Sequence, residues 1–142
     1  MLIPLKQSTT TAKVSTVRKR KRLLVIDDDP AVLFAMRKIF KEANILIDTC
    51  QSFEEAKQLI SNNHYHVILT DLCFSDEITD AGVKISDYAK KKIPGVIVIL
   101  WTGNDNPSFL KDQSRSFSID FVFAKPLSPG VIKSILENLI FV

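Results

Sequence analysis

From residue 23 onward the chain alternates two hydrophobic patterns. Short continuous apolar runs are followed by stretches in which apolar residues recur every three or four positions. Leu23-Leu24-Val25-Ile26 is the first run. It is brief and uninterrupted, as a strand covered on both faces should be. It ends in Asp27-Asp28-Asp29. Asp29-Pro30 then reads as a helix N-cap with proline in the first turn. Val32, Leu33, Met36, Ile39 and Phe40 follow on one face at helical spacing. Ile45 to Cys50 reads as the second strand. Ser52-Phe53-Glu54-Glu55 has the form of a capping box and opens a second helix with Ala56, Leu59 and Ile60 inward. Val67-Ile68-Leu69-Thr70 is the third strand and stops at Asp71. A polar loop leads to Gly82, and Val83 to Lys92 reads as the third helix, broken by Pro94-Gly95. Val96 to Trp101 is the strongest strand in the chain. Asn106-Pro107-Ser108 opens a weaker fourth helix, and Phe121 to Ala124 is the fifth strand. Ser128-Pro129 starts a last helix carrying Val131, Ile132, Ile135, Leu136 and Leu139 on its apolar face.

Five strands alternating with five helices predict a parallel sheet covered on both faces, an α/β fold. Sites in such sheets form beyond the carboxyl ends of the strands. Every strand except the second ends in a chemically useful group. The first delivers Asp27, Asp28 and Asp29, the third Asp71, the fourth Thr102 and the fifth Lys125-Pro126.

Composition narrows the class. The chain has 142 residues, 46% hydrophobic and 25% charged, enough for one core and one domain. No apolar run approaches the roughly 20 residues that cross a bilayer. The two cysteines, Cys50 and Cys73, have neither zinc-site nor disulfide-framework spacing, so a reducing cytoplasm is the simplest home. The formal charge of +3 hides a split. Residues 1–22 carry seven cations and no acid, so the remainder has a formal charge of −4. The expected organisation is a basic, unpacked tail over residues 1–21 and a folded domain over residues 22–142. Arg18 to Arg22 offers anionic partners, nucleic acid or a membrane surface, a weak handle without interleaved aromatics. A solvated tail is the favoured reading.

Carboxylates that converge repel one another. At 4 Å and an effective dielectric near 20, each pair costs about 4 kcal/mol. They stay ionised together only around a positive charge, and a hard, oxygen-preferring divalent cation such as Mg²⁺ fits best. Lys125 adds a fixed charge and Thr102 a hydroxyl donor. That set suits a clamp for a phosphoryl group, with Asp71 as the nucleophile that forms an aspartyl phosphate.

The blocks Leu24 to Pro30, Ile68-Leu69-Thr70-Asp71, Leu100-Trp101-Thr102-Gly103 and Phe123-Ala124-Lys125-Pro126 resemble those of response-regulator receiver domains of two-component systems, the chemotaxis-regulator type. The resemblance covers about residues 22–142. It implies a flavodoxin-like three-layer fold with strand order 2-1-3-4-5 and a phosphohistidine donor on a sensor histidine kinase or phosphotransfer protein. It implies Asp71 as phosphate acceptor and metal ligand, Asp28 as a direct Mg²⁺ ligand, and Asp27 as one acting largely through water. Cys73 would lend the metal its backbone carbonyl. Thr102 would bond the phosphoryl oxygen and Lys125 would neutralise it. The side chains of Cys73 and Asn104 would tune the lifetime of the acyl phosphate. A downstream protein, or dimerisation, would read the face of the fourth helix and fifth strand. A stand-alone receiver, with no output domain after the last helix, is expected.

Three features depart from the family. The segment Leu72 to Gly82 lacks a proline after the acceptor, is about three residues longer than usual, and carries Asp76, Glu77 and Asp80. Trp101 is bulky for the position before the threonine. Val122 stands where an aromatic switch residue is common. His64 and His66 are expected at the amino edge of the sheet, in a structural role. Three functions remain open from the residues alone. One is a stand-alone phosphorylation switch that is not an enzyme in the ordinary sense. The second is a degenerate receiver used for docking. The third is a haloacid-dehalogenase-type phosphatase with Asp27 as nucleophile.

Overall fold

The computed structural model describes residues 20–41, 43–103 and 118–141. They form a five-stranded, wholly parallel sheet in the order β2-β1-β3-β4-β5, the expected topology. The strands are β1 (Lys21–Ile26), β2 (Ile45–Cys50), β3 (Val67–Thr70), β4 (Ile97–Thr102) and β5 (Phe121–Ala124). Four helices are present among the described residues: α1 (Pro30–Ile39), α2 (Phe53–Asn62), α3 (Ala81–Lys92) and α4 (Pro129–Phe141). The helix expected to open at Asn106-Pro107-Ser108, and most of the basic tail, lie outside the described residues.

Alternation along the strands sorts the core into two layers. Leu24, Ile26, Ile68 and Val98 face α2 and α3, packing with Ala56, Ile60, Ile85 and Ala89. Leu23, Val25, Val67, Leu69, Ile99 and Trp101 face α1 and α4, packing with Leu33, Met36, Ile132 and Leu136. All the residues of β1 that take part are at most 1% exposed, so the strand must be apolar on both faces. This is why its sequence shows no alternation.

Local signals explain the helix starts. The Asp29 carboxylate accepts the Ala31 N–H at 2.9 Å, so this third aspartate of the run is an N-cap. Ser52 Oγ accepts the Glu55 N–H at 3.2 Å. Glu55 reaches back to the Gln51 amide at 3.4 Å, one residue short of a full capping box. Helix α3 begins two residues earlier than the periodicity indicates. Its entry is Asp80, in the left-handed conformation at φ 55°, which Asp tolerates better than most residues.

β1 starts at Lys21, inside the stretch read as tail. The cause is a set of contacts that sequence periodicity does not show. Arg22 binds Asp48 at 2.9 Å, its guanidinium lies over the Tyr65 ring, and Tyr65 donates its hydroxyl to Asp48 at 2.6 Å. Arg22 is therefore committed to the fold and is not part of a free basic patch.

His66 sits at the amino edge of the sheet in the structural role expected of it. Its amide donates to Arg22 O at 2.9 Å, and its Nδ1 accepts the Arg22 N–H at 3.0 Å. Accepting at Nδ1 requires the neutral ring. Burial, then Lys21 and His64, lowers its pKa. A histidine with a lowered folded pKa binds fewer protons folded than unfolded, so stability rises with pH through that window. Urea midpoints are therefore expected to fall between pH 7.5 and 5.5. His66→Gln, an acceptor without charge, should flatten that slope, and a slope equal to wild type would count against this role.

Candidate functional site

The strand register builds the site. Ile26 pairs with Thr70, and Asp71 N–H bonds to Ile26 O at 2.9 Å, so β1 and β3 end at one level. Asp27 and Asp71 therefore emerge side by side, at the point where the strand order reverses. Thr70 pairs with Leu100, which sets Trp101 and Thr102 at the next strand end. Thr102 pairs with Ala124, and Lys125 N–H bonds to Thr102 O at 2.8 Å. Residues 27, 71, 102 and 125 are dispersed over 98 positions and meet because four parallel strands stop together.

Asp27, Asp28 and Asp71 offer carboxylate oxygens that all lie within 4.8 Å of one another. Asp27 is 2% exposed and is held on both oxygens. Oδ1 accepts the Asp29 N–H at 2.9 Å, and Oδ2 meets Lys125 Nζ at 2.7 Å. Asp71 is less enclosed. Its Oδ1 accepts the Leu72 N–H at 2.8 Å, and its Oδ2 is 3.7 Å from Lys125 Nζ. Lys125 thus sits between the two carboxylates and is bonded to Asp27. Asp28 is exposed on the solvent side. Thr102 is 2% exposed at the end of β4. Cys73, two residues past Asp71, is exposed and free. Asn104 lies outside the described residues.

Charge balance follows from this geometry. Asp27 and Asp71 share Lys125 and Asp28 lies beside them, so among the described residues the cluster carries an excess of negative charge. Burial pushes the pKa of Asp71 up. Lys125 and the Leu72 amide oppose the shift, while Asp27 and Asp28 add to it. The Cys73 thiol is also pushed up, by desolvation and by Asp71, Asp80 and Asp28, which disfavours a thiolate there. An all-oxygen, anionic donor set of this kind fits a hard divalent cation.

Comparison with known proteins shows the family. The family model for the response regulator receiver domain matches residues 23–137. The chain belongs to the response regulator receiver domain family. It is 31% identical over 91 residues to the transcriptional regulatory protein RcsB of Salmonella typhi, covering 62% of this chain and 42% of that protein. It is 30% identical over 100 residues to the transcriptional regulatory protein ComA of Bacillus subtilis, covering 68% of this chain and 45% of that protein. The receiver chain thus spans less than half the length of these curated relatives. Among solved structures it resembles a CheY-like receiver domain protein of Methanospirillum hungatei JF-1, with TM-score 0.73, 24% identity, and coverage of 85% of this chain and 94% of that one. It also resembles a Burkholderia pseudomallei response regulator solved with a phosphorylated aspartic acid, calcium ion and citrate. That match has TM-score 0.71 and 19% identity, and covers 84% of this chain and 66% of that one. No described helix is long and apolar enough to cross a membrane.

Two further residues stand at the receiver site, Gly82 with no role expected from sequence and Trp101 expected to pack behind the site or shield it. The first is Gly82, whose N–H bonds to Leu72 O at 2.8 Å. A Cβ there would lie 2.5 Å from Asp71 O and 2.8 Å from Leu72 Cα. The only signal is a lone glycine where the polar loop meets the helical pattern. The second is Trp101, whose ring lies under Lys125. Val122, at the position where an aromatic is common, packs half-buried beside Leu72, Leu100 and Ile119.

The Asp27–Lys125 pair makes a specific prediction. Lys125→Met keeps the aliphatic stem but leaves Asp27 enclosed without its cation. Breaking such a buried pair from one side costs about 3 kcal/mol. Urea denaturation without divalent metal should show that loss, and adding Asp27→Asn to Lys125→Met should recover most of it. A double variant no more stable than the single one would show that Asp27 does not depend on Lys125.

Proposed function

We propose that this receiver domain is a phosphorylation switch in which Asp71 takes a phosphoryl group from the phosphohistidine of a sensor histidine kinase or phosphotransfer protein. The observation that carries the reading is the meeting of Asp27, Asp28 and Asp71 within 4.8 Å of one another, with the Lys125 ammonium beside Asp27 and Asp71. A carboxylate oxygen of Asp71 attacks phosphorus, the phosphorus–nitrogen bond breaks, and the donor imidazole leaves with the bonding pair. The product is an acyl phosphate. The Leu72 amide holds the acceptor carboxylate in one orientation beforehand. Lys125 meets the transferred charge, and the Thr102 hydroxyl bonds a phosphoryl oxygen. A Mg²⁺ ion held by Asp27, Asp28, Asp71 and the Cys73 backbone carbonyl would supply the charge neutralisation that one lysine cannot. Hydrolysis of the acyl phosphate resets the domain, so it assists its own chemistry and is not a turnover enzyme for a separate substrate. Thr102 and β5 pass the change to a protein-binding face, with dimerisation as one output. The phosphorylated aspartate of the Burkholderia pseudomallei relative supports the assignment by analogy.

The test is intact mass after incubation with a small phosphodonor, with and without Mg²⁺, followed by localisation of the modified residue. A metal-dependent gain of one phosphoryl group on Asp71 is the expected result. No adduct would leave a docking module. Turnover through Asp27 would instead identify a dehalogenase-type phosphatase.

A further inference from the structure

The contact between Lys125 and Trp101 links the blocks that end β4 and β5. Trp101 is the only tryptophan of the chain and is 5% exposed. It precedes Thr102 on β4, and its side chain joins the layer formed by Leu33, Met36, Ile132 and Leu136. Lys125 Nζ stands 5.0 Å from the centre of the indole ring. The same ammonium lies 2.7 Å from Asp27 and 3.7 Å from Asp71. The nitrogen therefore has carboxylates on one side and an aromatic face on another.

This arrangement answers a positioning problem. Lysine is a flexible chain ending in a compact charge, and its side chain here is only 24% exposed. Asp27 alone would draw the ammonium into a single ion pair. At 3.7 Å, Asp71 lies beyond hydrogen-bond range and attracts it only as a charge. The face of an indole attracts a cation without offering a competing hydrogen-bond acceptor. It can hold the ammonium between the two carboxylates while leaving N–H donors available for an incoming group. Indole provides the strongest such face among the aromatic side chains. The position also carries a cost, because the Trp101 Nε1–H is buried without a hydrogen-bond partner among the described residues. A phenylalanine would fill part of the same space without that cost, but with a weaker face.

We infer that Trp101 is a positioning residue for the acceptor site: its π face holds the Lys125 ammonium between Asp27 and Asp71, ready for the phosphoryl group. The inference rests on the phosphorylation reading of the same site. Removing the face lets the lysine side chain pivot about its Asp27 contact and away from Asp71. Phosphorylation then slows because the charge must be reorganised during transfer.

The single tryptophan allows a test that leaves the fold intact. Biosynthetic replacement by mono-, di- and trifluorotryptophan withdraws electron density from the ring with little change in shape. The rate of phosphorylation from a small donor with Mg²⁺ should fall stepwise with fluorine number. Trp101→Leu should slow it on the order of 5- to 30-fold, and Trp101→Phe should recover part of the loss. Lys125 methylene protons should show an upfield ring-current shift in wild type that disappears in Trp101→Leu. A purely structural tryptophan gives a rate independent of fluorination, and that result overturns the inference. A ring-current shift absent from wild type overturns it as well. Wild type that takes no phosphoryl group sinks the underlying reading, whereas wild type phosphorylated at a fluorine-independent rate sinks only the role of Trp101.

Discussion

Asp71→Asn is expected to abolish phosphodonor-dependent mass gain and, at the same time, to make the metal-free domain more resistant to urea. The first effect follows from chemistry, since an amide oxygen is no nucleophile for phosphorus at neutral pH. The second follows from the charge balance of the cluster. Asparagine has the same shape, and its Oδ1 keeps the hydrogen bond from Leu72 N–H. It removes one of three clustered carboxylates, two of which share Lys125. The sign is set by the raised pKa of Asp71, caused first by burial. A carboxyl with a raised folded pKa binds more protons folded than unfolded, so its ionisation lowers stability as pH rises above the unfolded value. At pH 7 the wild-type domain bears that penalty and the variant does not. Addition of Mg²⁺ should narrow the gap by stabilising wild type more than the variant. A variant that still gains phosphoryl mass would place the acceptor elsewhere, and one less stable than wild type would contradict the charge balance.

Gly82→Ala is expected to act on the acceptor from eleven positions away. A Cβ at residue 82 meets two backbone atoms, Asp71 O at 2.5 Å and Leu72 Cα at 2.8 Å, together with the Leu100 side chain at 3.1 Å. Backbone cannot rotate aside as a side chain can, so either α3 or the Asp71–Leu72 segment must move. Overpacking of this kind costs about 1–3 kcal/mol. The movement also reaches the chemistry. Gly82 N–H bonds to Leu72 O, and Thr70 Oγ1 donates to Asp71 O at 2.9 Å, so the carbonyls on both sides are already fixed. Displacement of a reacting group by about 1 Å can cost on the order of a hundredfold in rate. The phosphorylation rate should therefore fall by tenfold or more, even at low temperature where the variant is fully folded. Measuring rate and urea midpoint separately distinguishes this from simple unfolding. Loss of stability with an unchanged rate in the folded fraction would show that α3, and not the acceptor, gives way.

The fold was largely legible in the chain because its signals are local. Continuous apolar runs arise where strands are buried on both faces, and the Asp29 and Ser52 caps mark helix starts through side-chain bonds to nearby amides. The place of the candidate site was legible for the same reason. In a parallel sheet every strand end points to one edge, so Asp27, Asp28, Asp71, Thr102 and Lys125 could be placed together before any contact was known. The alternation, the caps and the residues at the strand ends thus determined the architecture and brought Asp27, Asp28, Asp71 and Lys125 to one edge of the sheet.

What the chain alone did not determine are relations between groups distant in sequence. Lys125 bonds to Asp27 and stands farther from Asp71, a preference set by the register of four strands. Arg22 belongs to the sheet because Asp48 and Tyr65 receive it, although composition groups it with a basic tail. Gly82 stands where α3 passes against the Asp71–Leu72 backbone, and Trp101 has Lys125 over its ring. None of these leaves a periodic trace, because periodicity records which face is buried and not which atom is met there. Close approach, ion-pair partners and ring faces depend on packing between elements, and tertiary structure alone decides them.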